Sequence, residues 1–83
     1  MTTPVTTALG RGLRELRTQA DLTQAQVAAN AGVDAPYLSR VESGERDLRW
    51  STVLRLLDAL GADLHQLADA MAEAKKRDRS TKR

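Results

Sequence analysis

Two short amphipathic segments with separate start signals lie only three residues apart, and this spacing limits the fold more than any other feature of the chain. Thr23 followed three residues later by Gln26 has the spacing of a capping box, and Val27, Ala28 and Ala31 then form a small apolar stripe ending at Gly32. This predicts a short helix over about Gln24–Ala31. Asp34 is a good N-cap, Pro36 falls in the first turn where its missing N–H costs nothing, and Leu38 and Val41 face inward before Gly44. A second short helix is predicted over about Ala35–Ser43. The link around Gly32 is too short for an antiparallel hairpin and turns the second helix sharply across the first.

The rest of the chain is predicted to be helical too. Leu9, Leu13, Leu16 and Ala20 recur at helical spacing with Arg11, Arg14, Glu15 and Thr18 elsewhere around the turn. Residues 1–7 are Thr-rich with Pro4 and little to bury, so they are read as a loose arm, with Thr7 as the cap of a helix starting near Ala8. Trp50, Val53, Leu54, Leu57 and Leu60 form a stripe closed by Gly61. Asp63 and Gln66 repeat the cap spacing, and Leu64, Leu67, Ala68 and Met71 line one face of a fifth helix. That helix is expected to fade at Lys75 into a disordered basic tail over 75–83. The expected architecture is all-α: five helices over residues 8–74.

Composition agrees. At 83 residues the chain holds one core, and with a single Trp, a single Tyr and no Phe it suits thin helices packed closely rather than a sheet. The absence of cysteine excludes a disulfide framework or a thiolate metal site and fits a reducing cytoplasm. No apolar run approaches the roughly 20 residues of a membrane span, and the start lacks the regions of a signal peptide. The formal charge of +2 hides an asymmetry: the tail from Lys75 carries +5 and the body −3, so the high pI belongs to the tail. A nucleic-acid face must therefore come from local clustering of charge.

The two segments and their turn have the geometry of a helix-turn-helix. Leu22-Thr23-Gln24-Ala25-Gln26-Val27-Ala28, Ala31-Gly32-Val33, Leu38-Ser39-Arg40-Val41-Glu42-Ser43-Gly44 and Leu60-Gly61 resemble the lambda-repressor/Cro (XRE) domain over about Leu9 to Met71. The match combines a capped helix, the turn glycine, a recognition-helix pattern ending in Glu-x-Gly, and two further helices at family spacing; a short helix-turn-helix pattern by itself would be weak evidence. The resemblance implies a sequence-specific regulator of transcription, a repressor, that lays its third helix in the major groove of double-stranded DNA.

In that reading Ala35, Tyr37, Ser39 and Arg40 are the third-helix residues not committed to the core, and Arg40 can hold guanine O6 and N7 with two parallel hydrogen bonds. Ala35 can pack on a thymine methyl, Ser39 can bond a base or phosphate, and the Tyr37 hydroxyl can reach the backbone. Pro36 departs from the polar residue common at that family position, shifting readout toward Arg40 and DNA shape. Gln24 matches a family position against a phosphate at a helix start. Arg46 and Arg49 match positions along the DNA backbone, with Arg14 a further candidate; the alternative is that Arg46 and Arg49 balance Glu45 and Asp47 in a solvated loop. Arg17 and Glu42 match a structural ion pair.

One short helix reads few bases, so a homodimer on an inverted repeat is expected, with Leu64, Leu67 and Met71 as the dimer surface. No cofactor, metal or small-molecule effector is expected: His65 has no Cys or second His beside it, and Gly10-Arg11-Gly12 follows no strand and more readily permits close packing than phosphate binding. Nucleophile–base pairs are absent as well, which argues against an enzyme. The expected place is the cytoplasm, on the nucleoid when bound to DNA. The competing function is a protein-interaction module, such as an antitoxin or adaptor whose fifth helix and tail grip another protein while DNA binding is secondary.

Overall fold

The computed structural model describes the backbone of residues 4–81 and the side chains of residues 4–77. Five helices follow one another: α1 Pro4–Gln19, α2 Gln24–Ala31, α3 Ala35–Glu42, α4 Trp50–Leu60 and α5 Leu64–Thr81. The described residues contain no strand.

The central helices end where their local chemistry directs. The Thr23 hydroxyl accepts from the Gln26 N–H at 3.1 Å and the Gln26 side chain accepts from the Thr23 N–H at 2.8 Å, satisfying donors at the α2 start. Gly32 stops α2 at φ +74°, a left-handed conformation that an L side chain resists, while the Val33 N–H closes back on the Ala28 carbonyl at 3.0 Å. Asp34 then caps α3, its carboxylate accepting from the Tyr37 N–H at 2.7 Å. Asp63 and Gln66 form the same reciprocal pair at the start of α5, at 2.8 and 3.0 Å.

Every helix sends side chains into one core: Leu13 from α1, Val27 from α2, Leu38 and Val41 from α3, Leu56 from α4 and Leu67 from α5. Burying each leucine stabilises by about 1.5–3 kcal/mol. α2 packs chiefly on α4 and α3, while α5 lies along α1.

Three expectations need correction. α1 begins at Pro4, not near Ala8: proline suits the first helical position, Thr6 is buried, and Thr7 is a helical residue, not a cap. Only Met1 to Thr3 of the expected arm lie outside the described residues. α5 does not fade at Lys75 but continues to Thr81, because Ala70 and Ala74 are buried against the body and Arg77 is clamped to Glu15. Lys82 and Arg83 lie outside the described residues.

The third correction concerns α4. Trp50 and Leu54, expected in its inward stripe, are 61% and 43% exposed, while Thr52, Val53, Leu56 and Leu57 are buried. The two candidate stripes share Val53 and Leu57. α4 is rotated toward the one that puts Leu56 at the centre, opposite the small inward face of Val27, Ala28 and Ala31 on α2.

Candidate nucleic-acid interface

With Leu38, Val41 and Glu42 turned inward, the helical period leaves Pro36, Ser39, Arg40 and Ser43 as an outward ridge along α3, all of them exposed. Arg40 and Ser39 are therefore on the accessible side, as their assigned roles require. Ser43 joins the ridge although it is not among the residues expected there; it lies seven residues from Pro36 on the same face, a spacing that marks it in the sequence. Its hydroxyl donates toward the Arg40 carbonyl at 3.0 Å, or to the Glu45 carboxylate at 2.8 Å.

Ala35 and Tyr37 sit differently. Both are half-buried and pack against the core, so they form the edge of the ridge, not its crest. The Arg46 guanidinium lies over the Tyr37 ring, 5.5 Å from its centroid, a cation–π arrangement that ties the loop after α3 back onto the helix. Arg46 is thus engaged with an aromatic face and not with Glu45 or Asp47. Arg49 is exposed as the N-cap residue of α4, and its side chain makes no capping bond.

Behind the ridge the three helices meet at Glu42. The Arg17 guanidinium donates to both of its carboxylate oxygens, at 2.7 and 3.0 Å, and to the Leu22 carbonyl at 2.9 Å. The Gln24 amide donates to the same carboxylate at 3.0 Å. Glu42 is 5% exposed, so α1, α2 and α3 are joined through one buried and fully hydrogen-bonded charge. The Gln24 contact is beyond local sequence reasoning, since the partners are 18 positions apart on different helices. Arg14, Arg17, Gln24, Ser39, Glu42 and Ser43 line a shallow groove of about 250 Å³ beside α3.

Leu67 and Met71 do not form an outward apolar face. Leu67 is 5% exposed and Met71 half-buried, both packed where α5 passes Gly12 of α1; only Leu64 of the expected dimer surface is exposed. The spacing of these residues could not distinguish a face turned to α1 from one turned to a second subunit. His65 is exposed, and no cluster of metal-ligating side chains occurs among the described residues.

The family model described as "Helix-turn-helix domain" matches residues 8–70, more than half of the chain. The chain belongs to the helix-turn-helix domain family. Among solved structures, this helix-turn-helix domain is similar to the restriction-modification controller protein C.AhdI of Aeromonas hydrophila, with TM-score 0.74 and 34% identity over 78% of this chain and 98% of that one. The clp gene regulator ClgR of Corynebacterium glutamicum matches with TM-score 0.76 and 29% identity, over 92% of this chain and 94% of that one. A propionyl-CoA carboxylase regulator of Cereibacter sphaeroides is 38% identical over 64 residues, which are 77% of this helix-turn-helix chain but 14% of that protein. The five-helix arrangement has the lambda-repressor-like form expected from the sequence.

Proposed function

We propose that this chain is a repressor that reads a base sequence with α3 in the major groove, two copies occupying the half-sites of an inverted repeat. That it is a DNA-binding regulator of transcription follows from its family and from the regulators it resembles. The observation that carries the finer reading is the exposed ridge on α3, an unobstructed helical edge held from behind by Glu42. Arg40 is assigned to a guanine and Ser39 to a base or phosphate, with Ala35 and Tyr37 at the margin of the contact. Gln24, Arg14, Arg46 and Arg49 are assigned to the phosphate backbone, where they set register rather than sequence.

Selection from a random duplex pool at near-physiological salt, with sequencing of the bound fraction, tests this. Enrichment of an inverted repeat is expected; no enrichment by well-folded protein would overturn the reading and favour a protein partner as the main ligand. On the selected site, Arg40→Ala is expected to relax preference at one base pair, worth about 1–3 kcal/mol of discrimination. Arg49→Ala should instead weaken binding to every sequence alike and flatten the slope of log affinity against log salt by about 0.9. Equal losses on specific and random DNA for Arg40→Ala would sink its role.

The second copy needs a surface other than Leu67 and Met71. Trp50 and Leu54 lie one turn apart on α4, and Leu64 opens α5; these are exposed large apolar side chains, and this reading assigns them to the dimer contact. Leu54→Glu with Leu64→Glu is expected to give a folded monomer in sedimentation, binding the inverted repeat at least tenfold more weakly. A variant that still sediments as a dimer would move the contact elsewhere.

A further inference from the structure

The first turn of α3 offers few polar side chains to a base. Ala35 is apolar and half-buried, Pro36 has neither a backbone N–H nor a polar side chain, and the half-buried Tyr37 carries Arg46 over its ring. Asp34, the N-cap residue, is exposed. Its Oδ1 accepts from the Tyr37 N–H at 2.7 Å, which fixes the carboxylate against a rigid element. Its Oδ2 meets no hydrogen-bond donor among the described residues. Arg55 lines the same groove beside the α2–α3 turn, but no ion pair joins it to Asp34. The Arg55 guanidinium lies over the turn instead, with Nη1 3.7 Å from the place a Cβ on Gly32 would take.

A carboxylate accepts hydrogen bonds and donates none. In the major groove it is opposed by guanine O6 and N7 and by thymine O4, all of them acceptors. Adenine has a donor at N6, but its N7 acceptor adjoins it. Cytosine presents its N4 amino group with no acceptor on the same base, and so fits best.

We infer that Asp34 is a specificity-determining residue, its free Oδ2 accepting from the N4 amino group of one cytosine. The inference rests on the proposed seat of α3 in the major groove, a docking in which the N-terminal residues of the helix contact base edges. Asp34 and Arg40 are six positions apart, about 9 Å along a helix, so this cytosine and the guanine assigned to Arg40 stand roughly two to three base pairs apart. The carboxylate acts by exclusion as well as attraction: near phosphates, a negative charge that finds no donor weakens binding to every other sequence.

The test repeats the selection from random duplex with wild type, Asp34→Asn and Asp34→Ser. Asn and Ser are both good N-caps, and thermal melts confirm that each variant folds. Wild type is expected to favour cytosine about fivefold or more at one position of each half-site, two to three base pairs from the position that Arg40→Ala relaxes. In Asp34→Asn the oxygen can keep the capping bond while an amide donor takes the place of Oδ2. Cytosine should then give way to an acceptor-bearing base, guanine or thymine, at that position alone. Asp34→Ser should show no preference there. A role as helix cap and nothing more would leave the chosen base unchanged, since both variants retain the cap. The same base enriched at every position by wild type and Asp34→Asn, no cytosine at the stated position in wild type, or preference lost evenly along the site overturns the inference and leaves the seat of α3 intact. Enrichment of nothing by well-folded wild type overturns both.

Discussion

Replacing Glu42 with alanine is expected to cost about 3 kcal/mol of folding stability, a large share of what a domain of this size possesses. The loss does not come from one contact. Glu42 is the shared acceptor for Arg17 and Gln24, and its removal strands a guanidinium whose side chain is only 14% exposed, leaving it the Leu22 carbonyl. Breaking one partner of a buried pair typically costs 3–5 kcal/mol, and the low end applies because Arg17 retains some water and that carbonyl. Replacing both charges, Arg17→Met with Glu42→Leu, is expected to recover most of the loss, since no charge is then left uncompensated. Denaturant titrations of wild type, both single variants and the double variant give the coupling energy directly. Additive losses would show that the pair contributes nothing as a pair. DNA affinity should fall in Glu42→Ala beyond what the unfolded fraction explains, because the charge aligns α3 against α1 and α2.

Gly10→Ala is the second large effect, and its sign is set by competition. In a helix interior, alanine is favoured over glycine by about 1 kcal/mol. At Gly10, however, a Cβ would intrude on the Val41 carbonyl oxygen and lie 3.1 Å from the Val41 carbonyl carbon, where α1 crosses the end of α3. That neighbour is backbone and can yield only by separating the helices, at an overpacking cost of 1–3 kcal/mol or more. A net loss of about 2 kcal/mol is expected, lowering Tm by roughly 10 °C for a domain this small. Gly12→Ala provides the contrast: the nearest atom there is Met71 Cγ, part of a flexible side chain, so its loss should be smaller. A Gly10→Ala protein melting at or above the wild-type temperature would show that the helices do not approach this closely.

Legibility in the sequence followed the range of the forces involved. α2 and α3 were readable almost to the residue because their limits are set by contacts three or four positions apart: Thr23 with Gln26, Gly32 with Ala28, Asp34 with Tyr37. The outer ends of α1 and α5 were not, because they depend on burial against distant elements. Pro4 to Thr7 read as a loose arm without sight of the body on which Thr6 packs, and Lys75 onward read as a tail without sight of Glu15. Helical periodicity located α4 but not its rotation, since overlapping stripes satisfy the same spacing. It could not show that Leu67 and Met71 are covered by the chain's own first helix. Of the interface, the exposure of Ser39 and Arg40 was foreseeable from the core pattern of α3, whereas the placement of Arg46 over Tyr37 required the folded loop.

The exposed position of Trp50 has a spectroscopic consequence. It is the chain's single tryptophan, and it stands in water on α4 instead of within the core. Its indole emission should therefore shift little when the protein unfolds, making intrinsic fluorescence a poor reporter of the core. The same indole would move to the blue when something covers the first turn of α4, which makes this protein's natural fluorophore an indicator of association more than of folding.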